Sequence, residues 1–370
     1  MEVQGKFSTA AGRWEGVGPY YAMFPATFAE KVILKYSNEG DTILDPFAGR
    51  GTSIFSAGIN KRKGIGIEIN PVGWVYARAK LNTAPMESVL SRLEEISDMS
   101  PKYKNAAKHL PEFFQYCYSS GVSRFLLAAR ENLHWRSNYT DATLMALLLV
   151  NLHGRQGSAL SNQMRQTKSM SPDYAIRWWK AGEFEPPKLD VYDFLSPKIE
   201  WRYKNGTPET SESRVYLGDS LNILPQLNEK ILRKKLAKPS LLFTSPPYIG
   251  ITNYHYDQWL RLWLLGGDSL PQYSGDPNRG RFQNPAHYED MMRRIFMHSA
   301  KMLSPDAVVY VRTGARPDTY KVTLSILKEV FPNKELRRIA RPYKKDTQTQ
   351  LFGISPKEKS SEVDLILLPK

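Results

Sequence analysis

The sequence predicts an α/β chain: a doubly wound, mostly parallel sheet of seven strands, interrupted by a large, mainly helical insertion. Three observations carry that expectation. Near the amino terminus an apolar run ending in Pro and Gly is followed by a helical stretch and a second apolar run ending in an acid, the pattern of a strand–helix–strand unit. From about Asn82 to Ser213 helical spacing takes over, for longer than any ordinary crossover. Strand signals then resume and recur to the end of the chain.

Taken in order, Thr42 to Phe47 reads as the first strand, Thr52 to Ile59 as the crossover helix and Gly64 to Ile69 as the second strand. Leu90 to Ile96, Val122 to Asn132 and Ala142 to Leu152 have helical periodicity and form the body of the insertion, which passes into a Pro-rich segment around Glu185-Pro186-Pro187. Arg214 to Leu217, Ser240 to Thr244 and Ala307 to Arg312 supply three more strands. Glu335 to Ala340 and Val363 to Leu368 are expected to pair as an antiparallel ribbon at the sheet edge. The division follows: residues 1–81 and 214–370 form a ligand-binding sheet domain, and 82–213 a helical lobe.

Composition narrows the partners. Fifty-one basic residues against 37 acidic ones leave a net charge of +14, with a sequence pI near 9.5, which favours a polyanion such as nucleic acid. The basic residues are scattered in small clusters, such as Lys61-Arg62-Lys63 and Arg337-Arg338, so the charge is expected on a folded surface. No long uninterrupted apolar stretch and no basic-then-apolar leader pattern is present, and a soluble, cytoplasmic protein with no membrane association is expected. Cys117 is the single cysteine, so no internal disulfide is possible, and no Cys/His spacing suggests a metal site.

Three motifs carry chemistry. In Asp45-Pro46-Phe47-Ala48-Gly49-Arg50-Gly51-Thr52 the glycines follow a strand and precede a helix, where open α/β sheets bind ligands and where the backbone must approach them closely. Gly64-Ile65-Gly66-Ile67-Glu68 ends in an acid about 20 residues after the glycines, placed to accept the ribose hydroxyls of an adenosine. Up to this point a nicotinamide dinucleotide site fits equally well. Thr244-Ser245-Pro246-Pro247-Tyr248 closes a later strand. Two prolines fix the backbone and remove two amide donors, leaving carbonyls to accept from an amino group beside the Ser245 hydroxyl, while Tyr248 offers a face for stacking a base.

Together, the Asp-Pro-Phe-x-Gly-x-Gly-Thr turn and Thr-Ser-Pro-Pro-Tyr resemble the DNA amino-methyltransferases, particularly their Ser-Pro-Pro-Tyr branch. The resemblance covers roughly residues 20 to 80 and 214 to 370, and it implies the seven-stranded methyltransferase sheet, the cofactor S-adenosylmethionine and a double-stranded DNA substrate. It implies that Asp45, Phe47, Gly49, Gly51 and Thr52 hold the methionine part of the cofactor, Glu68 the ribose, and Asp219 with Ser220 the adenine side, with Thr244 at the edge of the cofactor. It assigns Ser245, Pro246 and Tyr248 to the flipped base. A further element, Tyr20 to Phe28, resembles a family segment in which Phe24, Pro25 and Thr27 close over the cofactor's amino-acid end.

Hydrogen-bond chemistry alone does not choose the base; the resemblance, through Ser rather than Asp before Pro-Pro-Tyr, implies cytosine N4 as acceptor, within a restriction–modification or genome-marking system in which a cognate restriction endonuclease is a candidate partner. Adenine N6 in DNA and guanine N2 in RNA are the neighbouring alternatives, and a non-catalytic nucleic-acid-binding protein is the rival of a different class. Cytosine-C5 chemistry needs a cysteine nucleophile, and Cys117 sits in Gln115-Tyr116-Cys117-Tyr118 without a Pro-Cys context. Two regions compete for DNA recognition. One is the helical lobe, with Arg155, Arg165, Lys168 and Arg177 among Tyr174, Trp178 and Trp179; the other is Gly266 to Asp290, with Arg279 and Arg281.

Overall fold

The computed structural model describes residues 7–19, 24–249, 254–271, 284–341 and 361–370. The chain divides into two compact units: residues 1–20, 71–209 and 253–274 in one, and 21–70, 210–252 and 275–370 in the other.

The second unit is built on a seven-stranded sheet: β1 (Thr42–Asp45), β2 (Lys63–Glu68), β3 (Arg214–Leu217), β4 (Leu241–Thr244), β5 (Val308–Gly314), β6 (Lys334–Arg341) and β7 (Glu362–Pro369). Its spatial order is β3-β2-β1-β4-β5-β7-β6. The first five strands are parallel, and β7 runs antiparallel between β5 and β6. The expected doubly wound sheet is therefore present, and the expected terminal ribbon forms with Leu336 opposite Leu367 and Arg338 opposite Leu365. β1 and β4 are adjacent but far apart in sequence, so the strand order reverses there, which in open α/β sheets creates a crevice at the carboxyl ends.

Central strands buried on both faces are mainly apolar, and the polar residues buried in these lie mostly near the carboxyl ends of the parallel strands. Leu44, Ile65, Ile67, Leu242, Val309, Val311, Leu365 and Leu367 pack on one face. Ile43, Leu241, Phe243, Tyr310 and Ile366 pack on the other. On the first face lie α3 (Ser220–Leu232), α4 (Pro285–Met302) and α5 (Pro317–Val330), through Leu224, Leu227, Met292, Phe296, Ile326 and Leu327. The second face is covered by α1 (Ala26–Tyr36), through Ala29, Val32 and Ile33, and by α2 (Thr52–Ile59), through Ala57.

Strand β2 presents no side chain to α2 at Gly64 and Gly66, and the helix sits directly on its backbone. A Cβ at Gly64 would lie 2.7 Å from Ile54 Cβ and 2.8 Å from Ile54 Cα, and one at Gly66 would lie 2.7 Å from Ile54 Cδ1 and 2.9 Å from Ala48 Cβ. These glycines thus set the height of the helix that follows the ligand turn. Gly64→Ala meets backbone as well as side chain, so it is expected to lower stability by about 1–3 kcal/mol, read as a lower urea midpoint at unchanged slope. An unchanged midpoint would mean that α2 is not seated as described.

The first unit is mainly helical. Its long helices span Pro71–Leu81, Met86–Met99, Ser120–Asn132, Tyr139–Asn151, Pro172–Ala181 and Val191–Tyr203. One residue considered for nucleic-acid contact is interior here: Trp179 is fully buried, with its indole N–H donating to the Gln163 carbonyl at 2.7 Å. Trp259 and Trp263 pack on Phe113 and Phe114. Lys168 pairs with Asp257 at 2.6 Å, whereas Tyr174 remains exposed. A buried Arg261 donates to the Leu149 carbonyl at 2.9 Å and to Gln258 at 2.7 Å, and burial holds its pKa below the usual guanidinium value. Cys117 is buried, which pushes its thiol pKa well up and fits an inert core residue. Arg279 and Arg281 of the second region considered for recognition lie outside the described residues. Among the described residues, no helix is long and apolar enough to cross a membrane.

Candidate active site

The carboxyl ends of β1, β2, β3 and β4 form one rim of the sheet unit, and hydrogen bonds tie the four together. At the end of β1 the chain turns through Gly49 and Gly51, with φ of 54° and 77°, in the left-handed region that favours glycine. The Gly51 amide donates to the Ala48 carbonyl at 2.7 Å, and Gly51 caps α2, whose first residue is the buried Thr52.

Asp45 supports this turn from below. Its Oδ1 accepts from the Phe47 amide at 3.0 Å and from the Thr244 hydroxyl at 2.5 Å, and its Oδ2 accepts from the Ser53 hydroxyl. Thr244, the last residue of β4, is thereby locked to the end of β1. Burial raises the Asp45 pKa to about 6 against the opposing pull of these bonds. Phe47 is half-buried and rests against the sheet's core.

Glu68 ends β2 beside the turn. Its Oε2 accepts from the Gly49 amide at 2.7 Å and its Oε1 from the Asn70 amide at 2.6 Å. The Ile69 amide adds a third bond, and acceptor capacity is still left, since a carboxylate offers about four lone-pair sites. Burial is the main cause that raises its pKa to about 7, and the neighbouring Asp45 pushes the same way. At β3, Gly218 donates to the Glu68 carbonyl at 2.9 Å; Asp219 then caps α3 by accepting from the Leu221 amide at 2.9 Å, and the Ser220 hydroxyl donates to the Pro46 carbonyl at 2.5 Å.

The loop after β4 is held from three sides. The Tyr288 hydroxyl donates to the Pro247 carbonyl at 2.9 Å, and the Ile249 amide donates to the Thr319 hydroxyl at 3.3 Å. Tyr248 lies over Gly314, where an added Cβ would touch its ring at 3.4 Å, and its hydroxyl reaches Glu362 Oε1 at 3.4 Å. Glu362 pairs with Arg312 at 3.3 Å, and Arg312 is fixed by the fully buried Asp364 at 2.7 and 3.2 Å. Ser245 is half-buried and Pro246 buried, and among the described residues nothing donates to the Ser245 hydroxyl or the Pro246 carbonyl.

Asp45, Phe47, Gly49, Gly51, Thr52, Glu68, Asp219, Ser220, Thr244, Ser245, Pro246 and Tyr248 are thus brought to one end of one sheet. The Tyr20–Phe28 element behaves differently. Phe24 is a core residue stacked on Phe243 at 4.9 Å, Pro25 begins α1 and Thr27 is exposed, while Tyr20 to Met23 lie outside the described residues. Sequence reasoning missed Ser53, Asn70, Tyr288, Thr319 and Glu362. The two hydroxyls of Ser53 and Thr319 carry no recognisable spacing. Glu362 had one signal, an acid at the mouth of a strand that is apolar except for Asp364.

Residues 4–73 match the DNA methylase family. The orphan methyltransferase M.BamHII of Bacillus amyloliquefaciens is 53% identical over 49 residues, which cover 13% of this chain and 18% of that protein. The type II methyltransferase M.BsoBI of Geobacillus stearothermophilus is 24% identical over 277 residues, covering 67% of this chain and 52% of that one. The chain thus spans about half, or less, of the length of these relatives. Among solved structures, the rRNA methyltransferase aviRa of Streptomyces viridochromogenes aligns over 95% of this chain and 90% of its own, with 14% identity and a TM-score of 0.36. The matched segment contains the glycine turn and the strand that ends in Glu68, and it is similar to the N6/N4 DNA methylases.

Proposed function

We propose that this chain is a site-specific DNA methyltransferase that uses S-adenosylmethionine to methylate the exocyclic amino group of a DNA base, cytosine N4, in a restriction–modification or genome-marking system. The single observation that carries the reading is the hydrogen-bonded rim in which the glycine turn, Glu68 and the Ser-Pro-Pro-Tyr loop share one sheet end.

The donor set suits the cofactor. The left-handed glycines bare the backbone beside α2, and Glu68 keeps acceptor capacity for the ribose hydroxyls. Gly49 and Gly51 hold the methionine end, Glu68 the ribose, and Asp219 and Ser220 shape the adenine side. Asp45 and Thr244 act by holding the turn in place. When bound, S-adenosylmethionine supplies an electrophilic methyl on a sulfonium.

The chain's own part in the transfer is positioning. A base within the stack cannot present its amino group, so it is flipped out and stacked on Tyr248. The Ser245 hydroxyl and the Pro246 carbonyl accept its two amino hydrogens, which orients the nitrogen lone pair and needs no covalent intermediate. Tyr288 occupies the Pro247 carbonyl, so Pro246 is left as the backbone acceptor of the motif. Glu362 and Gly314 hold the stacking ring in register. The helical unit serves as the DNA-recognition lobe.

The test is transfer of a labelled methyl from S-adenosylmethionine to duplex DNA by the purified chain. Label is expected in the DNA and not in ribosomal RNA. Incorporation into RNA alone, or cofactor binding with no transfer to any nucleic acid, sinks the reading.

A further inference from the structure

The helical unit carries two arginines that have no acidic partner and are held in place by aromatic rings. Arg78, near the end of helix Pro71–Leu81, has its guanidinium carbon 5.0 Å from the centre of Trp74 and 4.4 Å from that of Tyr139. Arg136 lies 4.5 Å over Trp135, and Trp135 meets Trp74 edge-on at 5.8 Å. The five side chains form one continuous ladder, Arg136–Trp135–Trp74–Arg78–Tyr139. Trp74 and Trp135 are buried as its base, while Tyr139 is 51% exposed and Arg136 is exposed at the top.

Neither guanidinium enters an ion pair or hydrogen bond with a described residue, and Arg78 Nε is shielded from water without an acceptor. Burial lowers the Arg78 pKa, and Tyr139 opposes that shift only in part. In the same unit Arg92, by contrast, pairs with Asp141 at 2.9 Å and with Glu95 at 2.6 Å. The connecting segment His134-Trp135-Arg136-Ser137-Asn138-Tyr139 contains no acid, and all of it except Trp135 is exposed.

We infer that this ladder is a docking surface for the DNA backbone, with Arg78 and Arg136 each taking a phosphate and Tyr139 packing on the adjoining sugar or base. The inference rests on the proposed DNA substrate and adds where the duplex is held. Stacking on rings fixes the plane of each guanidinium and removes the rotamer entropy that a free arginine loses on binding, while leaving its N–H edges to the phosphate. A +14 chain has abundant charge for diffuse attraction; these two are, in addition, oriented on rings before the ligand arrives.

The experiment is a salt titration of duplex binding by the full chain, followed by fluorescence anisotropy. Each phosphate contact contributes about 0.9 to the slope of log K against log salt, so Arg78→Gln/Arg136→Gln is expected to flatten the slope by about 1.8 and to weaken binding roughly tenfold or more near 0.15 M salt. Lys104→Gln/Lys108→Gln removes the same charge from an exposed helix of the same unit and is expected to change both far less. The exposed Arg136→Gln alone is expected to take about half of the slope loss, and it keeps the test readable if the Arg78 substitution lowers the melting temperature. An unchanged slope in the arginine variants, or an equal loss in the lysine variant, overturns the docking surface while leaving the methyltransferase reading intact. A wild-type chain that binds no duplex overturns both.

Discussion

Ser245→Ala and Tyr248→Ala are each expected to reduce methyl transfer to DNA by roughly 10²-fold or more, with S-adenosylmethionine affinity unchanged within about twofold. A hundredfold loss corresponds to about 2.7 kcal/mol of transition-state stabilisation, the scale of removing one preorganised hydrogen-bonding group from a closed site. The two residues act by different means. Ser245 loses an acceptor that points the amino lone pair, so its defect is expected in kcat. Tyr248 loses the stacking face, worth about 1–3 kcal/mol per base, so its defect is expected in DNA affinity as well. Tyr248→Phe retains the ring over Gly314 but not the bond to Glu362, and is expected to keep most of the activity. Single-turnover kinetics on a short duplex separates these outcomes. Full activity in both alanine variants would remove the Ser-Pro-Pro-Tyr loop from the chemistry.

Cofactor affinity is expected to depend on pH through Glu68. Burial raises its pKa to about 7, and the ionised form is the one that accepts two ribose hydroxyls with both oxygens. Going from pH 8 to pH 6, the carboxyl passes from about nine-tenths ionised to about one-tenth, so S-adenosylmethionine affinity is expected to fall about tenfold over that window and to level off above pH 8. Glu68→Ala is expected to cost about 1.5–3 kcal/mol of affinity at pH 8, because bonds to a charged acceptor are lost, and to abolish the pH dependence. Calorimetry at three pH values reads both. A folded Glu68→Ala protein with wild-type affinity would remove this carboxylate from the cofactor site.

Much of this rim was legible before any coordinates. Glycines after a strand, an acid at the next strand tip and Ser-Pro-Pro-Tyr after a third report backbone constraints, and such constraints are local, so spacing alone reveals them. What stayed illegible was the side-chain partnership across the sheet. Asp45 and Thr244 are 199 residues apart and meet only because β1 and β4 are neighbours. The Arg312–Asp364 pair couples β5 to β7 in the same way, and a fully buried acid inside the apolar run Val363 to Leu368 has no sequence signature that names its partner. Aromatic residues were the least decipherable. Trp179 and Phe24 looked suited to a ligand and proved to be core, while Trp74 and Trp135, which drew no attention, underlie the stacked pair Arg78 and Arg136. A ring's role is set by what covers it, and that is a property of packing alone.

The most direct test is nucleoside mass spectrometry of duplex DNA incubated with the wild-type protein and S-adenosylmethionine. N4-methyldeoxycytidine as the sole modified nucleoside, absent from parallel reactions with Ser245→Ala, is the expected result. N6-methyldeoxyadenosine in its place would contradict the base assignment while preserving the amino-group chemistry, and unmodified DNA from a protein that binds both cofactor and duplex would contradict the function itself.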